Sequence, residues 1–408
     1  MNILIVGPYP PPYGGISSLI RSLVEGLKVK DVGEVVILYF GAKREVRLVD
    51  GAIVYEESVA KNSWRILSPF NWCLILPLIR TYSGKKFSVR EFLNIYIKAI
   101  LTNNIKKKHN IKTASFYQTE TSFHLLLCRE IWKESVAIIL NVFGELYDAT
   151  EYLLPKKNLL LKMLYCSDSI ISSSCYCADS FKIIGNERKI DVIYVGVSVS
   201  RFSGIESLRA GYRAKLGVSD ECSVLLFMGR FNKEMGLHSI IDLFPNLISK
   251  EKDFHLILAG ASGELNDSAK DLQNKYAKNV TVMNDIPFEI QPNLYAASDI
   301  VLAPSRDKHA CMGVSIKEAM AASLPVIASD SGGIPEAIIH DETGIIVPLM
   351  ENGENNLEDF ENAILELSQN KTKMENLGRN SLKRAKEIFS EEETLEKTYQ
   401  VFMRHAKS

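Results

Sequence analysis

The sequence predicts an α/β protein built from two doubly wound domains. Its 408 residues are enough for two ordinary domains. The chain opens with a buried-type strand over 2–6, a loop rich in Pro and Gly, and a helix over 16–27 with one apolar face. Strand, glycine loop and helix in this order are how a doubly wound domain begins. An apolar strand over 223–228, a glycine turn and a helix over 236–247 open the second domain.

The composition is that of a globular protein with no global preference for polyanions. Hydrophobic residues make up 46% of the chain and the formal net charge is −1, so nucleic-acid binding is not expected. The seven cysteines are odd in number and show no paired spacing, which favours a reduced, cytoplasmic protein. The N-terminus is not typical of a signal peptide. The longest apolar stretch elsewhere, 72–79, contains Pro77 and cannot span a bilayer.

Short apolar runs place the remaining elements of the first domain. Strands are predicted at 35–40, 53–55, 113–117, 137–142, 169–173 and 192–195. An amphipathic helix is predicted over 89–105 and a second helix over 121–130. His124 lies on the second helix, and a lone histidine there is more simply a surface or core residue than a ligand. We place the domain boundary near Gly196.

One segment of the first domain is strongly basic. Residues 61–112 hold eleven Lys or Arg and one acid, Glu91, a local net charge of about +10. Aromatic residues interleave with the basic ones, namely Trp64, Phe70, Trp72 and Tyr82 with Arg65, Arg80, Lys85 and Lys86. Basic charge with aromatics favours contact with an anionic membrane surface. The alternative is a solvated helical face with an ordinary core side.

In the second domain, strands are predicted at 254–259, 280–282, 300–303 and 325–328, and helices at 293–298, 314–322, 357–367 and 371–405. The stretch 304–338 between them carries the chemistry. Gly313 precedes a helix, so free backbone N–H groups and the positive end of the helix dipole meet there and can bind a phosphorylated ligand. Glu318, about one turn further along, can accept hydrogen bonds from sugar hydroxyls. The alternative is an ordinary α/β crossover in which Glu318 is a solvated helix residue.

This stretch resembles the donor-binding segment of the retaining GT-B glycosyltransferases of the group-1 family, which includes glycogen synthases and sucrose-phosphate synthases. The matching positions are Pro304, Ser305, Gly313, Glu318, Ala319, Met320, Ala321, Pro325, Gly332, Gly333, Pro335, Glu336, Thr343 and Gly344. The chain departs from the family pattern where Cys311-Met312-Gly313 replaces Gly-Phe-Gly, and at three further positions. The first glutamate is Ala310, the histidine after strand 137–142 is Phe143, and the lysine after the Gly-Arg pair is Met235.

The resemblance implies a GT-B fold, in which two Rossmann-like domains face each other across a cleft. It assigns acceptor binding to 1–195, nucleotide-sugar binding to 196–375, and a helix returning to the first domain to 376–408. The implied reaction is transfer of a sugar from a nucleotide sugar to an acceptor with retention of configuration, with no metal or other cofactor. A lipid-linked saccharide acceptor, as in cell-surface polysaccharide synthesis at the inner face of a membrane, fits the basic segment.

Arg230, Lys233 and Glu318 are the candidate catalytic residues. Arg230 matches the family's Gly-Arg pair, and Lys233 lies two residues before the missing lysine and has a long stem that can reach the same phosphate. Cations at this position would stabilise the charge that builds on the leaving diphosphate. The alternative for Arg230 is a salt bridge at a strand end.

Other positions are expected to contact the donor or to replace the missing groups. The candidate donor-binding residues are Gly15, Gly229, Asp307, Met312, Gly313 and Val314. Gly15 belongs to the first Gly-Gly pair, whose alternative interpretation is a tight turn with no ligand. Asp307, His309 or Glu145 would supply what the absent glutamate and histidine do in the family.

Three other functions remain compatible with the sequence. One is a GT-B sugar-nucleotide epimerase, which would act without an acceptor. Another is a catalytically inactive partner of a glycosyltransferase, which the departures favour and the retention of Arg230 and Glu318 opposes. The third is a membrane-surface binding module. We prefer an active subfamily with altered contacts, because the surrounding segment is intact.

Overall fold

A computed structural model describes residues 1–10, 15–30, 32–68, 71–72, 75–82, 87–148, 150–250, 253–306 and 311–406. The chain forms two compact units, Met1–Val195 with Glu392–Ser408, and Gly196–Glu391. The second unit continues past the predicted boundary at 375, because the helix predicted over 371–405 is two helices. Across the described ranges, no helix combines the length and the apolar character that a membrane span requires.

The first unit is built on an eight-stranded sheet with the order β3-β4-β2-β1-β5-β6-β7-β8. Neighbouring strands are parallel except β3 and β4, which pair antiparallel. Most strands are buried apolar runs, as parallel strands covered on both faces must be. The strands are β1 Ile3–Val6, β2 Val35–Tyr39, β3 Arg44–Val49, β4 Ala52–Glu57, β5 Thr113–Tyr117, β6 Ala137–Val142, β7 Ser169–Ser172 and β8 Asp191–Val192.

Helices cover this sheet. They are α1 Gly15–Leu27, α2 Ile75–Tyr82, α3 Val89–Lys108, α4 Leu125–Trp132, α5 Glu145–Asp148, α6 Thr150–Leu153, α7 Lys157–Cys166 and α8 Cys175–Ser180, with 3₁₀ helices at Ala60–Leu67, Leu154–Lys156 and Phe181–Ile184. A capping box formed by Ser88 and Glu91 starts α3. The middle of α3 differs from the predicted amphipathic pattern. Its residues are buried one after another from Ile95 to Thr102, interrupted only by Lys98, so neighbours cover several faces.

The second unit holds a six-stranded, all-parallel sheet with the order β11-β10-β9-β12-β13-β14. The strands are β9 Ser223–Met228, β10 Phe254–Gly260, β11 Val280–Asn284, β12 Ile300–Ala303, β13 Val326–Ser329 and β14 Gly344–Val347. The helices are α9 Glu206–Leu216, α10 Leu237–Ser249, α11 Asn266–Lys275, α12 Gln291–Ala297, α13 Val314–Ala321, α14 Ile334–Ala337, α15 Leu357–Gln369 and α16 Lys371–Ile388, with 3₁₀ helices at Val199–Phe202 and Phe288–Ile290.

The last helix, α17 (Glu391–Arg404), packs in the first unit from Glu392 onward. Val401 and Phe402 are buried in the same apolar cluster as β1. The Lys30 ammonium pairs with Glu396 at 2.5 Å on its exposed side. The chain therefore returns to the first unit through one amphipathic helix.

Each sheet has a point where the strand order reverses. In the first unit, β1 lies between β2 and β5. In the second, β9 lies between β10 and β12. In parallel α/β sheets, ligands bind beside the carboxyl ends of the strands at such a switch point. The loops that follow β1, β5, β9 and β12 are therefore the places to look for function.

Candidate functional site

Two loops meet at the switch point of the second unit. The turn after β9 and the loop after β12 are joined because the Arg306 N–H donates to the Glu234 carbonyl at 2.8 Å. Gly236 has a φ of 75°, and a Cβ there would lie 1.8 Å from the Pro304 carbonyl oxygen. The Asn355 amide donates to the same oxygen at 2.8 Å. Only glycine allows this approach, so the two loops form one fixed surface.

Arg230 and Lys233 lie on this surface, in the turn after β9. Both side chains are exposed. Within the described ranges, neither forms an ion pair, so the alternative of a strand-end salt bridge for Arg230 finds no support. Gly229 precedes them, and its backbone N–H donates to Ala259 of the next strand at 3.0 Å. The turn thus presents two cations to solvent from a fixed backbone.

Met235 occupies the position where the resembled family has a lysine. Its side chain is half-buried and packs against the apolar core of the second unit. A Cβ added at Gly229 would meet the Met235 methyl at 3.2 Å. This position therefore contributes packing beneath the turn, and the cations of the turn are Arg230 and Lys233.

The start of α13 lies after the β12 loop. Gly313 has a φ of 75° and precedes Val314, whose side chain is exposed, while Met312 is buried. A Cβ on Gly333, in the turn after β13, would lie 1.5 Å from the Cys311 carbonyl oxygen, so this glycine turn packs directly beneath the approach to α13. The predicted residues Asp307, His309 and Ala310 lie outside the described residues.

Glu318 is buried, contrary to the alternative of a solvated helix residue. Arg201 Nη1 contacts its Oε1 at 3.1 Å, and the Tyr295 hydroxyl donates to its Oε2 at 2.9 Å. Burial raises the pKa of the Glu318 carboxyl, while Arg201 and the Tyr295 hydrogen bond oppose that rise. Burial also lowers the pKa of the adjacent Lys317 to about 8. Each Glu318 oxygen has a second lone pair with which it can accept from a ligand hydroxyl.

Arg201 was missed by the sequence reasoning. It lies in the 3₁₀ helix Val199–Phe202 and also donates to the Phe288 carbonyl at 2.5 Å and to the Gln291 amide oxygen at 2.8 Å. Its guanidinium stacks 3.3 Å from the centre of the Phe288 ring. No signal in the sequence connects it with Glu318, and only the fold shows that the buried carboxylate has this charged partner.

In the first unit, Glu145 is the first residue of α5, shortly after β6, and is buried. Its Oε1 accepts from the Thr119 N–H at 3.1 Å and its Oε2 from the Phe143 N–H at 2.6 Å. Burial raises the pKa of Glu145 to about 7, although these backbone donors oppose the rise. Glu145 therefore joins the loops after β5 and β6. Phe143 stacks on Tyr117, with ring centres 6.4 Å apart.

Two other predicted residues of the first unit are resolved. Gly15 is the first residue of α1, and a Cβ there would meet no atom within 4 Å, so the described structure does not require glycine for space. His124 is buried between the ring edges of Phe40 and Phe116, which places it in the core. Burial holds its pKa well below the ordinary value, so the imidazole is neutral.

No metal centre emerges from the described residues, since none of their His, Cys, Asp and Glu side chains form a group of three that could hold an ion. The expectation that the reaction needs no metal is not tested by this finding and stays a prediction.

The fold is shared with solved glycosyltransferases. Sucrose-phosphate synthase from Thermosynechococcus elongatus superposes with a TM-score of 0.75 at 17% identity, covering 99% of this chain and 98% of that one. Anabaena HepE in complex with UDP superposes with a TM-score of 0.74 at 16% identity, covering 99% of both chains. At such identities the likeness concerns the fold alone, and the chain has the two-domain α/β fold called GT-B.

Several proteins that are similar in sequence are also named as glycosyltransferases. An uncharacterized glycosyltransferase of Methanocaldococcus jannaschii is 32% identical over 40% of this chain and 41% of its own length. A GDP-mannose-dependent alpha-(1-6)-phosphatidylinositol monomannoside mannosyltransferase of Mycolicibacterium smegmatis is 25% identical over 85% of this chain and 84% of its own. The chain spans only 41 to 66% of the length of four of its sequence relatives, including the archaeal one.

The family model described as "Glycosyl transferases group 1" matches residues 209–384, which include the turn after β9, α13 and Glu318. Residues 209–384 are therefore similar to the group-1 glycosyltransferases.

Proposed function

We propose that the protein transfers a sugar from a nucleotide-sugar donor to a saccharide acceptor and retains the configuration of the sugar's anomeric carbon. The observation that carries the proposal is the pair of exposed cations, Arg230 and Lys233, at the switch point of a group-1 glycosyltransferase domain. Two similar proteins support a nucleotide-sugar donor, because the mycobacterial relative is named as GDP-mannose-dependent and the structure of HepE was solved with UDP.

The charges fit a nucleoside diphosphate. Arg230 would bind the diphosphate with its planar guanidinium, and Lys233 would add a second positive charge. Backbone N–H groups at Gly313 and Val314 would donate to the same group. Glu318 would accept from the ribose hydroxyls through its free lone pairs. These contacts fix the donor and leave its sugar free to react.

The same cations serve the chemical step. The bond between the anomeric carbon and the diphosphate oxygen breaks, and a bond to an acceptor hydroxyl forms while that hydroxyl loses its proton. Negative charge grows on the departing diphosphate, and fixed cations aimed at it lower the barrier. Removal of one such group typically costs about 10²–10³-fold in rate. Asp307, His309 and Glu145 remain candidates for the roles of the absent family residues.

The first experiment measures thermal stabilisation by UDP, GDP, ADP and their sugars. A ligand that binds only the folded protein at about 100 times its Kd adds about 2.7 kcal/mol of stability. We expect one nucleotide to raise the melting temperature of the wild type and to lose most of that effect in Arg230→Ala. Arg379→Ala is the matched control, because Arg379 is an exposed arginine on α16. No shift with any nucleotide, or equal loss in both variants, would contradict the donor site.

Turnover and stereochemistry need a second assay. We expect donor consumption to depend on an added acceptor, and the product's anomeric proton coupling to match that of the donor in NMR spectra. An epimerised free nucleotide sugar formed without acceptor would instead support the epimerase. Nucleotide binding without turnover on any acceptor would support the inactive partner.

We further propose that the acceptor is lipid-linked and that the protein reaches it at an anionic membrane surface. Ile75, Leu76 and Ile79 expose one face of α2, while Leu78 and Tyr82 bury the other. Trp72 and Trp64 are also more than half exposed, and Arg65 lies 5.0 Å from the centre of the Trp64 ring. Tyr82 therefore belongs to the core rather than to this surface. Phe70, Lys85 and Lys86 lie outside the described residues.

Vesicle sedimentation tests this surface. We expect the wild type to bind vesicles containing phosphatidylserine, and binding to fall with added salt because part of the attraction is electrostatic. Leu76→Asp with Ile79→Asp should abolish binding, since it places charge on the face that enters the headgroups. Leu208→Asp, an exposed leucine of the second unit, should not. Equal vesicle binding by both variants would refute the proposal that this face of α2 contacts the membrane.

A further inference from the structure

The sheet of the first unit ends on one side in the strand β3, which has six residues. β3 pairs with β4 along one side, and its other side is an edge that pairs with no strand of the described ranges. The opposite edge strand, β8, has only two residues. Folded proteins usually keep edge strands short or covered, because a free row of backbone N–H and C=O groups pairs readily with another strand. β3 is therefore open to pairing with a further strand.

The hairpin that carries this edge is fixed to the rest of the first unit. Asp50 and Gly51 connect β3 to β4 with φ values of 52° and 74°, which is the left-handed pair that a two-residue hairpin turn favours. The Tyr9 hydroxyl donates to Asp50 Oδ2 at 2.9 Å and ties the turn to the loop after β1. Arg47 Nη2 donates to the Pro10 carbonyl in the same loop at 3.4 Å. The edge is therefore formed before any partner binds.

Two apolar residues of β3 are exposed at this edge. Val46 is 57% exposed and Leu48 is 75% exposed. Their cross-strand partners in β4 are Tyr55 and Ile53, of which the first is buried in the core and the second packs against it. Residues directly opposite each other in a sheet lie on the same face. The apolar face of the sheet thus continues onto the edge, where an added strand would cover it.

The charged residues of β3 determine which strand fits beside it. Glu45 is exposed and forms no ion pair with any residue that the structure describes. Arg47 is half-buried, and its described hydrogen bond is the one to the Pro10 carbonyl. A matching strand would place a cation opposite Glu45 and an anion opposite Arg47. β3 has this arrangement of charges itself when a second copy runs in the opposite direction.

Only one register suits the pairing of two β3 strands. Alternate residues of a strand direct their backbone groups to the same side, so two identical antiparallel edges meet about a twofold axis that passes through a residue. An axis at any of the three charged residues would place that charge opposite itself, and an axis at Leu48 would pair only three residues, because β3 ends at Val49. An axis at Val46 places Glu45 opposite Arg47 twice. Opposite charges across strands stabilise a sheet and like charges destabilise it.

We infer that two copies of this chain associate by antiparallel pairing of their β3 strands about an axis at Val46, which joins the two eight-stranded sheets into one. The contact buries Val46 against its own copy and covers Leu48 with the aliphatic stem of Arg44. It also pairs each Glu45 with an Arg47 of the second copy. The interface is small, so we expect a Kd of about 1–100 µM. The inference stands independently of the proposed glycosyl transfer.

Sedimentation velocity of the full-length protein, over concentrations from about 1 to about 200 µM, tests the association. We expect the wild type to change from monomer to dimer across this range. Glu45→Arg and Arg47→Glu should each weaken the dimer at least about tenfold, because each sets like charges opposite each other twice. Glu187→Arg is the matched control, since it makes the same change of charge at an exposed position of the first unit, and it should dimerise as the wild type does.

Two further measurements test the register. A mixture of Glu45→Arg with Arg47→Glu restores opposite charges at both positions, so the two variants should form a heterodimer although neither dimerises alone. Val46 faces its own copy at the axis, so Val46→Cys should form a disulfide-linked dimer under mild oxidation, in excess of any seen with the wild type. Leu48→Cys should not, because Leu48 faces Arg44 in this register. The cysteine variants decide the question if Arg47→Glu fails to fold.

Three results would overturn the inference. A wild type that stays monomeric at about 200 µM would mean that the charges of β3 keep this edge unpaired. A dimer that persists unchanged in both Glu45→Arg and Arg47→Glu would place the interface elsewhere on the molecule. Equal cross-linking of Val46→Cys and Leu48→Cys would contradict the register about Val46.

Discussion

Replacement of Arg201 by methionine is the sharpest test of how the donor side of the site is held together. The Arg201 side chain is 16% exposed and that of Glu318 is 10% exposed, so the pair is largely removed from water. Methionine keeps much of the stem and removes the charge. The variant leaves Glu318 buried with only the Tyr295 hydroxyl as a described partner.

The expected cost follows from the burial of the pair. Breaking a buried ion pair from one side costs about 3–5 kcal/mol, and the partial exposure here favours the lower end, about 3 kcal/mol near pH 8. The cost depends on pH, because the pKa of Glu318 is already raised by burial above its ordinary 4.5 and loses an opposing charge in the variant. The folded state then binds more protons than the unfolded state, so stability falls as pH rises above 4.5. This fall should be steeper in Arg201→Met than in the wild type.

Urea unfolding at several pH values between 4.5 and 8 measures both quantities. Arg201→Met with Glu318→Gln should recover most of the loss, since a neutral amide leaves no unpaired charge. Arg21→Met is the control, because the Arg21–Glu25 pair is exposed and should be worth less than about 1 kcal/mol. A loss below about 1 kcal/mol at pH 8, with an unchanged pH slope, would show that water and not Arg201 holds the Glu318 charge.

Two further substitutions test the loops. Glu145→Gln should lower the free energy of unfolding by about 1–3 kcal/mol at acidic pH, because the NH₂ of the new amide faces one of the two backbone N–H donors and cannot accept from it. The wild type loses stability as the pH rises to about 7, where Glu145 ionises, so the difference in stability between the two proteins should narrow. The free energies of unfolding of the wild type and of Glu145→Gln, measured in urea at several pH values, would contradict this prediction if they stay parallel. Gly236→Ala should lower both stability and nucleotide binding, because its Cβ meets the Pro304 carbonyl, whereas Gly211→Ala on α9 meets nothing within 4 Å and should stabilise by about 0.5–1 kcal/mol. Equal melting temperatures for the two alanine variants would refute the role of Gly236.

Local patterns were enough to predict most strands but not all. Buried apolar runs identify β9 and β12, because each strand is a continuous stretch with no competing helical period. The edge strand β3 was missed because it is mostly exposed and carries charged residues at alternate positions, whereas the signal used to predict strands was a buried apolar run. The sequence predicted α3 to be amphipathic, with one buried face. In the structure, neighbouring elements pack against several faces of its middle part, which periodicity within the helix does not show.

The site was predictable only as far as its residues are close in sequence. The Gly313 helix start and Glu318 lie within one motif, so one stretch was enough to find them. Arg201 lies 117 positions before Glu318, and no local spacing connects them. A cavity of about 140 Å³ in the first unit, lined by Lys98 and His124 among others, was missed for the same reason, since these two residues come from separate elements. The sequence alone favoured an ordinary surface or core position for His124.

The turn after β9 allows a direct test of whether Lys233 has taken over the function of the lysine that Met235 replaces. If it has, Lys233→Ala should weaken nucleotide binding strongly in the wild type and weakly in a Met235→Lys background, where a second lysine stem can carry its charge out of the core. If the two positions act independently, the two effects should add within about 0.5 kcal/mol. A cycle of the four proteins, measured by calorimetry with the nucleotide that gives the thermal shift, distinguishes the outcomes. A large and equal effect of Lys233→Ala in both backgrounds would mean that Lys233 binds the nucleotide but does not replace the missing lysine. No effect of Lys233→Ala in either background would mean that Arg230 alone neutralises the diphosphate.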